Sequence, residues 1–240
     1  MKALIIEDDQ ASATFACKIL EKHNINCDVC NLGEDGLLMI ESCEYDVIIV
    51  DISLPDMDGN SIIRQIRSSK KINKKFVPII VLSNLQSSSD KVESLLNGAD
   101  DFLTKPYDQK EFLMRVLTII RRSNGYSDNV INIGELSLDM KKKSVSVNNN
   151  KLNLSSKEYS IVQLLMLKKN SLLDKHNLLD ALYCGTDVPG SKVIDVFVCN
   201  IRKKIAFYTK KNYLITSWGN GYIITDPKME TLKEVVVMNG

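Results

Sequence analysis

The sequence predicts two domains: an α/β domain built on a doubly wound, five-stranded parallel sheet, then a smaller α+β domain of the winged helix-turn-helix type. Three observations carry this. In the first half, short apolar runs alternate with amphipathic stretches of helical period, the signature of right-handed βαβ units. Runs such as Val47-Ile48-Ile49-Val50 and Ile79-Ile80-Val81-Leu82 are almost unbroken Val, Ile and Leu, as strands buried on both faces require. Past residue 130 the alternation gives way to short strand-like pieces, three helical stretches and a closing hairpin.

In chain order, strands are expected at 3–6, 26–30, 47–51, 77–83 and 101–104, with helices at 10–22, 34–43, 59–69, 88–97 and 109–122 between and after them. Arg121-Arg122 closes the last helix with charges that suit a helix C-terminus. Residues 123–129, Ser-Asn-Gly-Tyr-Ser-Asp-Asn, read as a polar linker, so the first domain spans 1–122 and the second 130–226, with a tail over 227–240. Strand pieces at 131–133, 136–138, 144–147 and 152–154 form hairpins, with Asn148-Asn149-Asn150 as a turn. Ser155-Ser156-Lys157-Glu158 is a capping box that opens a helix reaching about Lys168. Helices over 175–183 and 191–207 follow, then a hairpin of 214–217 and 222–225 turning at Trp218-Gly219-Asn220-Gly221.

Apolar content of 44% and charged content of 25% match a water-soluble globular chain. No apolar run is long enough to span a membrane, and the N-terminus does not read as a secretion signal, so a cytoplasmic protein without a membrane partner is expected. Of the six cysteines, Cys27 and Cys30 form a CxxC, but on a strand they point to opposite faces; no His/Cys ligand set forms around His23 or His176, and reduced thiols are expected. Charge is unevenly divided. Residues 1–122 carry 15 Lys/Arg against 19 Asp/Glu, and the remainder 16 against 11, which suggests two domains with different partners.

Five residues fall at strand ends: Glu7 and Asp8, Asp51, Ser83 and Lys105. In an open parallel sheet chemistry gathers at the carboxyl ends, where strand order reverses. Carboxylates, a hydroxyl and one ammonium gathered there read as a magnesium-dependent phosphorylation site. Asp51, ending the central strand, is the expected nucleophile, and its attack on a phosphoryl group requires two anions to meet. Mg2+ solves this with hard oxygen ligands from Glu7, Asp8, Asp51 and the main-chain carbonyl of Ser53. Lys105 balances the remaining charge and Ser83 donates to a phosphoryl oxygen. Taken singly, a strand-end acid is commonly a helix cap and a strand-end lysine commonly solvated; the joint pattern makes the argument.

The segments Ile5-Ile6-Glu7-Asp8-Asp9, Asp51-Ile52-Ser53-Leu54-Pro55-Asp56-Met57-Asp58-Gly59 and Asp100-Asp101-Phe102-Leu103-Thr104-Lys105-Pro106 resemble the receiver domain of two-component response regulators over residues 1–122. The resemblance implies a flavodoxin-like strand order and phosphoryl transfer to Asp51 from a histidine kinase or a histidine phosphotransfer protein. It further implies Ser83 and Phe102 as a switch pair and a cis Lys105–Pro106 bond. It also implies a homodimer on activation, through a face carrying Lys91, Asp100, Asp101, Glu111, Arg115 and Arg122, in which Lys91 pairs with Glu111 and Asp101 with Arg115 across two copies.

Helix 191–207 separates its faces. Ile194, Phe197, Val198, Ile201 and Ile205 form a core stripe, while Lys192, Asp195, Val196, Cys199, Asn200, Arg202, Lys203 and Lys204 lie opposite. A basic outer face on the last helix of a helix-turn-helix reads as a major-groove reader of double-stranded DNA. Arg202, Lys203 and Lys204 are expected at phosphates, Val196 at a thymine methyl and Asn200 at adenine. The pattern resembles the OmpR/PhoB-type effector domain, and within that family its cell-cycle branch, which implies TTAA-type repeated half-sites, Trp218 and Asn220 as wing contacts, a nucleoid location, and contact with RNA polymerase through loop 184–190. Asn200 stands where relatives usually carry Lys or Arg, and Asn220 where they carry Arg.

The expected function is therefore a phosphorylation-controlled transcriptional regulator and not an enzyme. Two other readings compete. A magnesium phosphohydrolase with Asp51 as transient nucleophile typically needs a second acid two residues on, where Ser53 stands. A DNA-independent phosphorelay protein leaves the basic helix unexplained.

Overall fold

The computed structural model describes residues 1–69, 76–84, 87–183 and 188–227. The chain forms two compact units, Met1–Gly125 and Tyr126–Gly240. Each is described by itself.

In the first unit the strands are β1 (Lys2–Ile6), β2 (Asn26–Cys30), β3 (Val47–Asp51), β4 (Ile79–Ser83) and β5 (Asp101–Thr104). They form one parallel sheet in the order β2-β1-β3-β4-β5. Every residue of β3 and β4 is buried, which is why those segments contain nothing but Val, Ile and Leu until Asp51 and Ser83. Helices α1 (Gln10–Glu21) and α5 (Gln109–Ser123) pack together on one face. Helices α2 (Gly33–Ser42), α3 (Gly59–Ser68) and α4 (Ser88–Leu96) cover the other. Strand order reverses between β1 and β3, the two strands whose ends carry Glu7 and Asp51.

Short acidic side chains set the loops at this edge. Asp9 caps α1 through the Ala11 amide at 2.8 Å, so the third acid of Glu7-Asp8-Asp9 is a helix cap. Asp56 accepts from the amides of Gly33 and Glu34, both at 2.9 Å, and ties the loop after β3 to the start of α2. Asp58 caps α3. Beside it, Gly59 lies so close to the end of β3 that a Cβ there would stand 2.3 Å from the Asp51 carbonyl oxygen.

The second unit opens with an antiparallel sheet of β6 (Val130–Ile133), β7 (Leu136–Asp139), β8 (Ser144–Val147) and β9 (Asn150–Lys151). The expected strand over 152–154 does not form. Asn148 and Asn149 both adopt positive φ, +48° and +64°, and make a two-residue turn that pairs Val147 directly with Asn150. The strand therefore starts at Asn150, inside the expected turn, and is spent before Leu152. Helix α6 (Ser156–Leu167) is buried from Glu158 to Leu167 and forms the centre of the unit. Helix α7 (Lys175–Asp180) is shorter than expected, α8 covers Lys192–Ala206, and the hairpin β10 (Leu214–Ser217) with β11 (Gly221–Ile224) closes the fold. Residues 184–187 of the loop expected at RNA polymerase, with Cys184, and the tail from 228 lie outside the described residues.

Because Gly59 has no room for a methyl group, Gly59→Ala is expected to cost about 1–3 kcal/mol of stability through forced backbone movement. Urea unfolding followed by circular dichroism measures this; a change below roughly 0.5 kcal/mol, the range of neutral surface substitutions, refutes it.

Candidate phosphoacceptor pocket and DNA-reading surface

The five strand-end residues converge. Lys105 directly follows β5 and is joined to Pro106 by a cis peptide bond, and its Nζ lies 2.5 Å from both Glu7 Oε2 and Asp51 Oδ2. Glu7 and Asp51 are 3% and 4% exposed, whereas Asp8 is exposed. Burial pushes the Glu7 carboxyl above its ordinary range, outweighing the Lys105 ammonium that favours its charge. Burial opposes the charge on Lys105 as well, but hydrogen bonds to Asp51 and Glu7 outweigh it and hold that amine above its usual value. One ammonium between two buried carboxylates keeps both in place.

Carboxylate oxygens of Glu7, Asp8 and Asp51 lie within 4.8 Å of one another. Among the described residues Glu7 Oε1 is buried without a hydrogen-bond partner, although Oε2 accepts from the Ser12 hydroxyl at 2.9 Å as well as from Lys105. An acid with an orphaned oxygen, beside two other hard oxygen donors, suits a small divalent cation. Ser53 is exposed, and its amide donates to Asp51 Oδ1 at 3.0 Å, turning the carboxylate. Ser83 is fully buried at the end of β4, and the Lys105 amide donates to its carbonyl at 2.8 Å. The Phe102 ring is buried, with the Lys91 ammonium 5.8 Å from its centroid. Ser12 was not foreseen; a serine in the first turn of a helix carries no signal until the strand end it faces is known.

The expected dimer face is differently wired. Asp100 accepts from Arg67 and from the Ile79 amide, both at 2.7 Å, which binds it to its own domain. Arg115 bridges Asp101 at 2.9 Å and Glu111 at 2.8 Å in the same chain. Arg122 is exposed. The pairing of Asp101 with Arg115, expected across two copies, is thus already made within one.

On α8 the core stripe of Ile194, Val198, Ile201 and Ile205 is buried and Phe197 half-buried. Lys192, Val196, Cys199, Asn200 and Lys203 are exposed along one outer stripe, with Asn220 and the 91% exposed Trp218 at the tip of the hairpin. Arg202 and Lys204 differ from the rest. The Arg202 guanidinium donates to the Leu214 carbonyl and to the Thr216 hydroxyl. Lys204 lies 2.7 Å from Oε2 of buried Glu158, the same oxygen that accepts the Ser155 amide in the capping box. The faces assigned by period are right, but long side chains bend back to partners inside the fold. Cys17, Cys27, Cys30, Cys43 and Cys199 carry free thiols, and burial pushes the Cys30 thiol up to about 12.

Residues 3–117 match the response regulator receiver domain and residues 149–224 the C-terminal domain of transcriptional regulatory proteins. The chain belongs to the OmpR/PhoB-type response regulators, the two-domain transcriptional regulators of two-component systems. Among named relatives it is 38% identical over 231 residues to the cell cycle response regulator CtrA of Brucella anthropi, covering 96% of this chain and 98% of that protein. It is 39% identical over 228 residues to the cell cycle transcriptional regulator CtrA of Caulobacter vibrioides, covering 95% and 97%. Response regulator DrrB of Thermotoga maritima, a solved OmpR/PhoB homologue, is 25% identical with a TM-score of 0.45, over 93% of this chain and 98% of that one. No helix among the described residues is long and apolar enough to cross a membrane.

Lys204→Ala is expected to lower the stability of the second unit by about 1–3 kcal/mol, because it strands a buried carboxylate, while Lys203→Ala changes it by less than about 0.5 kcal/mol. The Glu158 carboxyl is held below its ordinary value of 4.5: burial would raise it, but Lys204 and Ser155 outweigh burial. Its contribution is therefore complete above pH 4.5 and lost as pH falls through the lowered value. Lys204→Ala should flatten this acid limb in urea titrations run at successive pH values, and an unchanged limb excludes the pairing.

Proposed function

We propose that this protein couples phosphorylation of Asp51 to DNA binding in control of the cell cycle, with a receiver domain over 1–122, a linker over 123–129 and a DNA-binding domain over 130–226. The observation that carries the proposal is the Glu7–Lys105–Asp51 assembly, which presents one buried carboxylate, held and turned, at the switch point of the sheet.

Glu7, Asp8 and Asp51, with the Ser53 carbonyl, are the residues that hold Mg2+, and the ion supplies charge neutralisation for an incoming phosphoryl group. The phosphoryl group passes to Asp51 Oδ from the imidazole of a histidine kinase or a histidine phosphotransfer protein, so the P–N bond breaks as the P–O bond forms. Lys105, still paired with Glu7, then faces the anionic phosphoryl oxygens in place of the Asp51 carboxylate, whose charge is consumed in the acyl bond. The Ser83 hydroxyl turns toward the new oxygen, and Phe102 follows into the space it leaves. Residues Lys91, Asp100, Asp101, Glu111, Arg115 and Arg122 form the face for homodimerisation, where the in-chain Arg115 pairs are available for exchange between copies. Lys192, Val196, Cys199, Asn200 and Lys203, with Trp218 and Asn220, face DNA at TTAA-type repeated half-sites. RNA polymerase contact through loop 184–190 and a cytoplasmic, nucleoid-associated location complete the reading, which the similarity to the two CtrA proteins supports.

The test is binding of the full chain to a duplex carrying two TTAA half-sites, with and without a small acyl phosphate and Mg2+ as phosphodonor. Phosphorylation should tighten binding of the wild type and leave Asp51→Ala unchanged. Rapid phosphate turnover without DNA binding would instead support the phosphohydrolase.

A further inference from the structure

The hairpin β10–β11 is too small to hold its own position, since a two-stranded hairpin is at best marginally stable alone. Three ties fix it. The backbones of Leu173 and Tyr222 exchange hydrogen bonds of 3.0 and 2.9 Å, which joins the hairpin to the segment before α7. That approach needs Gly221, where a Cβ would lie 2.1 Å from the Leu173 carbonyl oxygen. Second, the Tyr222 hydroxyl donates to Asp195 on α8, and the same carboxylate receives Lys175 of α7 at 2.8 Å. Third, Arg202 donates Nε and Nη2 to the Leu214 carbonyl at 2.9 and 2.6 Å and Nη2 to Thr216 Oγ1 at 2.7 Å, with its guanidinium 5.9 Å from the Tyr222 ring centroid.

We propose that Arg202 and Asp195 are positioning residues that lock the hairpin to α8, so that helix and wing approach DNA as one piece, and that Arg202 does not contact phosphate. This rests on the DNA-binding reading above and reassigns one of its expected contacts. Leu214 is 1% exposed, so moving Arg202 to a phosphate would strand a buried carbonyl. The fork geometry also discriminates. A phosphate accepts any cation within reach, whereas a carbonyl and a hydroxyl on one strand need the planar, multi-donor guanidinium. Asp195 lies on the outer half of α8 by sequence, yet its carboxylate is spent on Lys175 and Tyr222, the latter 4% exposed. The offset between the exposed stripe of α8 and the wing tip at Trp218 and Asn220 is thereby set by side chains that touch no base.

The test measures affinity of the full chain for the TTAA duplex at several salt concentrations, together with amide hydrogen exchange of β10 and β11 without DNA. Arg202→Lys and Arg202→Ala should both bind roughly tenfold more weakly, as loss of a charged hydrogen bond implies, with the slope of log affinity against log salt unchanged. Thr216→Val and Tyr222→Phe alter no charge; each should reproduce part of the loss and add less than its own effect to Arg202→Ala. Discrimination among base pairs under the wing should fall while that under α8 stays. A merely unfolding variant loses affinity without changing base preference. The wing amides should exchange faster in Arg202→Lys. The proposal is overturned if Arg202→Lys binds as the wild type while Arg202→Ala lowers the salt slope by about 0.9, the value for one lost phosphate contact. If the wild type binds no DNA, the DNA-binding reading fails, and exchange still decides the brace: unchanged wing protection in Arg202→Lys overturns it.

Discussion

The Lys105 ammonium, 2.5 Å from Glu7 and from Asp51, is the contact on which the receiver depends. It joins the ends of β1, β3 and β5, strands that a parallel sheet would otherwise leave with two buried carboxylates in repulsion. The cis bond to Pro106, the cap at Asp9 and the Asp56 tie to α2 all act at the same edge. A sheet apolar on both faces has one place for charged chemistry, the rim of its carboxyl ends. There the charges are held in a balance that an added phosphoryl group changes.

The second unit solves a different problem with the same means. Its exposed outer stripe, from Lys192 to Lys203, has to be held beside a wing that has no core of its own. Charged side chains are used internally for this. Asp195 gathers α7, α8 and β11 around one carboxylate, Arg202 grips β10, and Lys204 answers the buried acid of the α6 capping box. The basic residues of α8 are therefore divided between an exposed stripe and internal construction.

The sequence carried most of this in readable form. Runs such as Ile79-Ile80-Val81-Leu82 could only be doubly buried strands, and the five strand-end residues fell at corresponding ends. The capping box at Ser155 and Glu158 is formed as its spacing required. The failures were local or three-dimensional. The strand expected over 152–154 was displaced by the Asn148-Asn149 turn, whose positive φ values start β9 earlier than the apolar pattern suggested.

What the sequence determined by itself is periodicity and punctuation: which segments are strands or helices, which helix face turns inward, and which residues end the strands. These follow from local stereochemistry and from burial, both written along the chain. Only the tertiary structure decided which charges meet. Lys105 reaches Glu7 across 98 positions and Lys204 reaches Glu158 across 46. A flexible cation has the same period whether it faces solvent, phosphate or a buried acid, so its partner is known only once the fold has placed the acid.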